Sequence, residues 1–179
     1  MSEYTDNSFF TDCLVNSFLI LLKEKKYEDL SVSELCKKAG ISRMTFYRTY
    51  HSKEEVFYRY IDRLVEDYKI EITHDKGFAS YIRLEYIELI FAYFRKYSEV
   101  VKCMVENHID DYLRKKFIQT ELNLTLDSDV DNNSRYTAIA YANALYGLLT
   151  DWICSGMNEN PSVPATILYN IFSGQIKRY

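Results

Sequence analysis

The chain has 179 residues and a formal charge of −4, so it can build a substantial core, and a uniformly basic protein is excluded. Its 2 prolines, 5 glycines and lack of long polar–apolar alternation favour an all-α protein over an extended sheet. No apolar run is long enough to cross a membrane, residues 1–6 are too acidic and polar for a signal peptide, and the 4 cysteines are widely spaced. We therefore expect a cytoplasmic protein with reduced thiols, no metal and no membrane contact.

A first helix is predicted from about Thr5 to Lys23 by apolar residues that recur at helical spacing. We expect this apolar face to pack against the two helices that follow and to complete a three-helix unit. The face consists of Phe9 or Phe10, Cys13, Leu14, Phe18, Leu21 and Leu22.

Two short helices, joined by a tight turn, are predicted next. Ser31 and Glu34 form a capping box, in which each side chain bonds the backbone N–H of the other residue. Gly40 can take the left-handed conformation that ends a helix, and Ser42 is a good N-cap for the second helix. A helix, a glycine turn and a second capped helix form the helix-turn-helix pattern.

The second of these helices has a core side and a polar side. At about 100° per residue, Phe46 and Tyr50 share the core side, where Ile41 can pack on Phe46. Six basic residues oppose three acidic ones between residues 31 and 60, so positive charge is concentrated here, although these charges could simply solvate a surface. The polar side combines groups that can bind base edges, thymine methyls and phosphates: Arg43, Met44, Thr45, Tyr47 and Arg48.

A second capping box, in the segment Ser52-Lys53-Glu54-Glu55, begins a long amphipathic helix that should run to a break at residues 74–77. Lys53 lies in its first turn, where a positive charge opposes the helix dipole, so we assign this lysine to a nearby phosphate. We expect the helix to connect two domains, residues 1–51 and 52–179. Its core side carries Val56, Phe57, Tyr60, Ile61, Leu64, Val65 and Tyr68.

Residues from about 11 to 60 resemble the DNA-binding domain of TetR-family transcriptional regulators. The likeness lies in residues 30–47, which read LSVSELCKKAGISRMTFY, and in the Ser-Lys-Glu-Glu that follows. A weaker match, to the end of the ligand-binding domain, covers residues 141–147, Trp152, Gly156-Met157 and Pro161. Within the family, the chain looks similar to the branch that includes the dihydroxyacetone kinase activator DhaS.

The resemblance has two departures and one direct implication. Thr49-Tyr50 stands where the family commonly has His-Phe, and His51-Ser52-Lys53 stands where it has a basic or Asp-Lys element. Together with the helical geometry, the resemblance implies a DNA-binding surface made of Ser33, Ser42, Arg43, Met44, Thr45, Tyr47, Arg48, Thr49 and Lys53.

An unusually aromatic segment with interspersed charges extends from Tyr81 to Phe117 and predicts amphipathic helices. Two interpretations stay open: the rings line a small-molecule pocket between helices, or they only fill the core. The resemblance favours a pocket lined by at least some of Tyr93, Tyr97, Met104, His108, Tyr112 and Tyr141.

Residues 127–131 carry oxygen-bearing side chains at alternate positions, as the start of a calcium-binding EF-hand loop does. Asn132 and Ala138 stand where that loop needs a glycine and a bidentate glutamate. We therefore predict a solvated loop without metal, followed by a helix that Asn132, Asn133 or Ser134 caps.

The last two predicted helices are more apolar than one domain core needs. The first runs to about Ser155 and carries Ala140, Ala144 and Gly147 at close-packing spacing, and the second follows Pro164. In the resembling family the last two helices form a four-helix bundle with a second copy of the chain; alternatively, both cover only their own core. The resemblance implies a homodimer interface that contains Ala144, Leu148, Trp152, Ile167 and Ile171.

These features predict a sequence-specific transcriptional regulator that acts as a homodimer on an inverted repeat in double-stranded DNA. The resemblance implies a repressor that responds to an unknown small-molecule effector and needs no cofactor. Two alternatives stay open: an activator controlled by a partner protein, and a helical protein-binding adaptor that does not bind DNA. We expect no enzyme activity, because the sequence has no His-x-x-x-His pair and no phosphate-binding glycine loop.

Overall fold

The computed structural model of the chain describes residues 2–73, 82–126 and 131–173, and all regular structure within these ranges is α-helical. The expected all-α class is confirmed. The predicted break at residues 74–77, Tyr81 and the acidic residues 127–130 lie outside the described residues. In chain order the helices are α1 Ser2–Leu21, α2 Val32–Ala39, α3 Arg43–Thr49, α4 Lys53–Thr73, α5 Leu84–Arg95, α6 Ser98–Glu106, α7 Asp111–Thr125, α8 Asn132–Cys154 and α9 Ser162–Phe172.

The chain divides into two compact units, an N-terminal unit Met1–Leu64 and a C-terminal unit Val65–Tyr179. The division falls inside α4, whereas the sequence placed the functional boundary at the start of that helix, at residue 52. Among the described helices, none is both long and apolar enough to span a lipid bilayer.

The N-terminal unit is built around the aromatic ring of Phe18. Helix α1 packs on α2, and α2 packs on α3. The Phe18 ring lies 4.5 Å, centroid to centroid, from Phe57 of α4. Leu14 and Val15 of α1 are buried with it, while Phe9 is 64% exposed. The three-helix unit expected from the sequence is thus present, closed on one side by the first part of α4.

In the C-terminal unit the central element is α8, which packs against α5, α6, α7 and α9. Aromatic side chains fill the space beside it. The Phe117 ring of α7 lies 5.4 Å from Phe94 of α5 and 5.6 Å from Tyr146 of α8, measured between centroids. The aromatic segment that was noted in the sequence therefore contributes much of this core.

Helix α8 begins at Asn132, which is earlier in the chain than any of the three predicted caps would allow. Its N-cap is Asp131, whose carboxylate accepts a hydrogen bond of 2.7 Å from the backbone N–H of Ser134. The expectation that Asn132, Asn133 or Ser134 caps this helix is wrong, because all three are already helical.

Trp152, which the sequence placed in a dimer interface, is a core residue of its own unit. It is only 4% exposed, and its ring meets Phe91 of α5 edge-on at 5.4 Å between centroids. Its indole N–H donates to the backbone carbonyl of Glu159 at 3.0 Å. A side chain packed and bonded in this way has little surface left for a second copy of the chain.

Trp152→Ala should lower the free energy of unfolding by about 3–5 kcal/mol, because it leaves a cavity beside Phe91. Urea denaturation followed by circular dichroism measures the loss. Thr166→Ala on the exposed side of α9 is the control and should change stability little. A loss below about 1 kcal/mol for Trp152→Ala would contradict the core assignment.

Candidate functional site

The capping box of α2 is present as predicted. The Glu34 carboxylate accepts from the Ser31 N–H at 3.0 Å, and the Glu34 N–H donates to Ser31 Oγ at 3.2 Å. Hydrogen bonds from Lys25 and Ser31 lower the pKa of Glu34 to about 2. Gly40 ends the helix with φ 70°, in the left-handed conformation expected of it. The turn into α3 is therefore fixed by local chemistry.

Helix α3 is held by one cap and one buried ring. Ser42 Oγ accepts from the Thr45 N–H at 3.0 Å, as an N-cap does, and Phe46 is fully buried. Tyr50 is also buried, but it lies just beyond the helix in extended conformation. Its position is set instead by a 2.7 Å hydrogen bond to Thr11 Oγ1 and by its contact with the Phe46 ring.

The opposite side of α3 faces outward. Met44 is 83% exposed and Tyr47 is 48% exposed, and the two arginines, Arg43 and Arg48, are exposed as well. The Arg43 guanidinium carbon lies 5.9 Å from the centroid of the Tyr47 ring, so the two side chains form a cation–π pair across one helical turn. This side of α3 presents two charges, a phenol and a thioether to its surroundings, and we call it the α3 face.

The remaining residues that were predicted to contact DNA differ in how exposed they are. Ser33 and Ser42 are exposed, whereas Thr45 and Thr49 are half-buried. The Thr45 hydroxyl is already bonded to Ser42 Oγ at 2.9 Å. The structure thus collects the predicted polar residues in the N-terminal unit, with different degrees of accessibility.

Lys53 is the exception, because its ammonium group folds back onto its own unit. The Nζ atom donates to the backbone carbonyls of Tyr27 at 2.5 Å and Leu30 at 2.9 Å, and it lies 4.2 Å from the centroid of the Tyr27 ring. These contacts explain a lysine in the first turn of α4 without the phosphate that the sequence argument invoked.

The start of α4 also uses a variant of the predicted capping box. Ser52 Oγ accepts from the Glu55 N–H at 3.3 Å, as expected. The Glu55 carboxylate, however, accepts from the His51 N–H at 2.7 Å and from Arg59 one turn later. These bonds lower the pKa of Glu55, although burial opposes the shift.

The predicted pocket residues divide by burial. Tyr93, Met104 and Tyr141 are buried, and Tyr97 and Tyr112 are half-buried. His108 is exposed and follows α6 with φ 56°, where its backbone lies in the left-handed region that ends the helix. His108 is thus an exposed residue of the turn after α6, whereas the pocket itself stays a prediction for the other members of the set.

A buried polar cluster in the C-terminal unit was not noted in the sequence. Glu121 of α7 is completely buried and accepts a short hydrogen bond from the Tyr68 hydroxyl of α4. Burial raises the pKa of Glu121 to about 7. A signal existed, because Glu121 follows the apolar Leu113 and Phe117 at intervals of four and so falls on the buried side of α7.

The predicted dimer residues other than Trp152 lie on the outer sides of α8 and α9. Ile167 is 50% exposed and Ile171 is 59% exposed, and Ala144 and Leu148 are half-buried. Within the described ranges, no group of His, Cys, Asp and Glu side chains is arranged to hold a metal ion.

Two family models match this chain. Residues 19–60 match the model described as "Bacterial regulatory proteins, tetR family", and residues 83–174, more than half of the chain, match "Transcriptional regulator C-terminal region". An all-helical fold with a helix-turn-helix near its N-terminus and an exposed α3 face is the architecture of a DNA-binding regulator. The chain belongs to the TetR family of transcriptional regulators, whose members are transcription factors and not enzymes.

The curated sequence relatives match this chain over a short segment of about 45 residues. The HTH-type transcriptional regulator EthR of Mycolicibacterium smegmatis (strain ATCC 700084 / mc(2)155) is 50% identical over 46 residues, which is 26% of this chain and 21% of the relative. EthR of Mycobacterium tuberculosis (strain CDC 1551 / Oshkosh) is 49% identical over 45 residues, 25% of this chain and 21% of the relative. The match thus spans about a fifth of the length of these curated relatives.

Three solved structures share the fold at low identity. The dihydroxyacetone kinase operon activator DhaS has a TM-score of 0.57 at 18% identity, over 93% of this chain and 96% of that one. A tetR-family regulator from Streptomyces coelicolor has a TM-score of 0.60 at 14% identity, over 94% and 80%. The fatty acid degradation regulator FadR from Bacillus halodurans has a TM-score of 0.58 at 14% identity, over 95% and 97%.

Lys53→Met should destabilise the protein by about 1–2 kcal/mol, because the carbonyls of Tyr27 and Leu30 lose a charged donor. Thermal denaturation monitored by circular dichroism measures this loss. Arg48→Met, an exposed residue on α3, is the control and should leave the unfolding temperature unchanged. If Lys53→Met instead kept wild-type stability but bound DNA more weakly, Lys53 would be a phosphate contact and not a structural residue.

Proposed function

We propose that this protein is a homodimeric repressor that binds an inverted repeat in double-stranded DNA through the α3 face and leaves it when a small effector binds to the C-terminal unit. The observation that carries the proposal is the exposure of Arg43, Met44, Tyr47 and Arg48 on a helix whose other side is fixed by Phe46. A bound dimer blocks a promoter by occupancy alone, so repression needs no further surface.

The chemistry of the α3 face fits the major groove. An arginine can donate two hydrogen bonds to guanine or bind a phosphate, a methionine can contact the thymine methyl group, and a tyrosine hydroxyl can reach a phosphate oxygen. We place Arg43, Met44, Tyr47 and Arg48 at the centre of the contact. Lys53 is left out of this set, because its ammonium group already bonds two carbonyls. Ser33, Ser42, Thr45 and Thr49 flank the face.

The charge distribution supports the same surface. Between residues 31 and 60, six bases oppose three acids, although the whole chain carries a charge of −4. Lys37 and Lys38 at the end of α2 are exposed and add to the positive charge near α3. A local basic surface on an acidic protein attracts DNA to one region and leaves the rest of the molecule unattracted.

A second copy of the chain is the occupant that we propose for the outer side of α8 and α9. Val163, Ile167 and Ile171 follow one another at intervals of four on α9, and each is between 46% and 59% exposed. On α8, Ala140 and Gly147 are exposed at positions where small residues allow close helix packing. A two-fold axis through such a surface presents two α3 helices to two half-sites, as an inverted repeat requires.

Helix α4 can carry the effector response, because its residues belong to both compact units. Phe57 packs on Phe18 in the N-terminal unit, and Tyr68 is bonded to Glu121 in the C-terminal unit. An effector that favours one arrangement of the C-terminal end of α4 changes the population of DNA-binding states.

Arg48→Ala and Tyr47→Ala should each weaken binding to a palindromic fragment of the neighbouring promoter, by about 1–3 kcal/mol for a base-contacting arginine, because each removes a group that we place at the DNA. Fluorescence anisotropy at fixed salt measures the affinity. Lys115→Ala, in the C-terminal unit, removes an exposed charge of the same sign and should leave affinity unchanged. Unchanged binding in both α3 variants would refute the proposed contact surface.

The double variant Ile167→Glu with Ile171→Glu should convert the dimer into a monomer, because it buries two charges in an apolar interface. Sedimentation velocity measures the mass. As the control, Lys115→Glu introduces a negative charge at an exposed position of α7, and this variant should stay dimeric. A double variant that keeps the dimer mass would show that the interface lies elsewhere.

A further inference from the structure

The cluster around Glu121 gathers side chains from four helices. The Tyr68 hydroxyl of α4 donates to Glu121 Oε1, and the Tyr86 hydroxyl of α5 lies 3.3 Å from both carboxylate oxygens. Burial and the charge of Glu121 raise the pKa values of both phenols, so their hydroxyls stay protonated and donate. The carboxylate is thus oriented by two donors.

Tyr141 of α8 completes the cluster but has no partner within it. Its hydroxyl is buried, and no described residue forms a hydrogen bond with it. Burial and then the charge of Glu121 raise its pKa well above the ordinary value, so the hydroxyl lies within the field of the carboxylate. Buried hydroxyls are rarely left unbonded, and this one therefore indicates a missing partner.

Glu121 also lacks a counter-ion among the described residues. The ion pairs of the described chain all involve other carboxylates. Among the described residues, its only polar side-chain partners are Tyr68 and Tyr86, which are neutral. A carboxylate that is oriented, buried and uncompensated in charge is complementary to a cation.

We propose that Glu121, with the hydroxyls of Tyr68, Tyr86 and Tyr141, recognises an aromatic or alkyl effector that carries a primary ammonium group. The inference rests on the proposed effector response and names the chemical class of the effector. The ammonium donates to Glu121 and to the unbonded Tyr141 oxygen. An effector that carries a carboxylate is disfavoured, because its charge has the same sign as that of Glu121. An alcohol would leave the charge of Glu121 uncompensated.

The surroundings of the cluster suit such a ligand. The Tyr68 ring contacts the rings of Phe94 at 5.4 Å and Phe117 at 6.1 Å, measured between centroids, and such faces attract a cation and pack against an apolar body. The ammonium competes with Tyr68 for the lone pairs of Glu121. Effector binding therefore acts directly on the hydrogen bond that holds α4 to α7.

The affinity for an amine should depend on pH in a defined direction. Burial raises the pKa of Glu121 to about 7, so below that pH the carboxyl group must lose its proton before it pairs with an ammonium. Affinity should rise roughly tenfold per pH unit up to about pH 7 and then level off.

Isothermal titration calorimetry of the full chain without DNA tests the proposal, with phenethylamine, benzylamine and hexylamine as probes and 2-phenylethanol as the neutral match. We expect at least one amine to bind, with the pH dependence above, and the alcohol to bind at least tenfold more weakly. Glu121→Gln should abolish both the preference for the amine and its pH dependence, and Glu106→Gln, at an exposed glutamate, should change neither.

Tyr141→Phe is a second test of the proposal, and it does not depend on whether Glu121→Gln folds. It removes the unbonded hydroxyl, so it should leave the stability of the free protein unchanged or higher while weakening amine binding severalfold. Absence of amine binding, or equal binding by the wild type and Glu121→Gln, would overturn the proposal.

A DNA-binding measurement with and without the bound amine separates this inference from the proposed function. We expect the amine to lower the affinity for the promoter fragment. Amine binding that leaves DNA affinity unchanged would contradict the effector response, not the recognition site, whereas DNA binding without any amine binding would contradict only the recognition site.

Discussion

The burial of Phe46 is the constraint on which the N-terminal unit depends. Helix α3 has only 7 residues, so it is too short to hold its shape or direction by backbone hydrogen bonds alone. The Phe46 ring, packed beside Tyr50, fixes how the helix is rotated about its axis. Because Arg43 and Tyr47 occupy the opposite side, the same packing directs them outward. One side of this short helix therefore packs in the core, and the other side is the surface that we propose for DNA recognition.

Helix α4 contributes side chains to the cores of both units. Its first turns contribute Phe57 to the N-terminal core, and its later turns place Tyr68 against the Glu121 carboxylate. A hydrogen bond to a buried acid is strong while the acid is ionised, and it is open to competition from a stronger donor. A polar group in an aromatic core is thus well suited to act as a switch, whereas an apolar side chain there would only add stability.

The features that could be predicted from the sequence are those with local causes. The Ser31 capping box, the Gly40 stop and the burial of Phe46 follow from neighbours a few residues away, and each is confirmed. The intramolecular contacts of Lys53 and Trp152 were not predicted, because their partners come from distant parts of the chain: carbonyls more than 20 residues away for Lys53, and the Phe91 ring for Trp152. The tyrosine partners of Glu121 were missed for the same reason, since only the packed helices bring them to the carboxylate.

A crystal structure of the protein with an operator duplex, selected from a random DNA pool, tests the central claim most directly. The account predicts one α3 in each of two successive major grooves, with Arg43, Tyr47 and Arg48 within hydrogen-bond distance of bases or phosphates and Phe46 still buried. A complex in which α3 faces away from the duplex, or in which the DNA lies against the C-terminal unit, would contradict it.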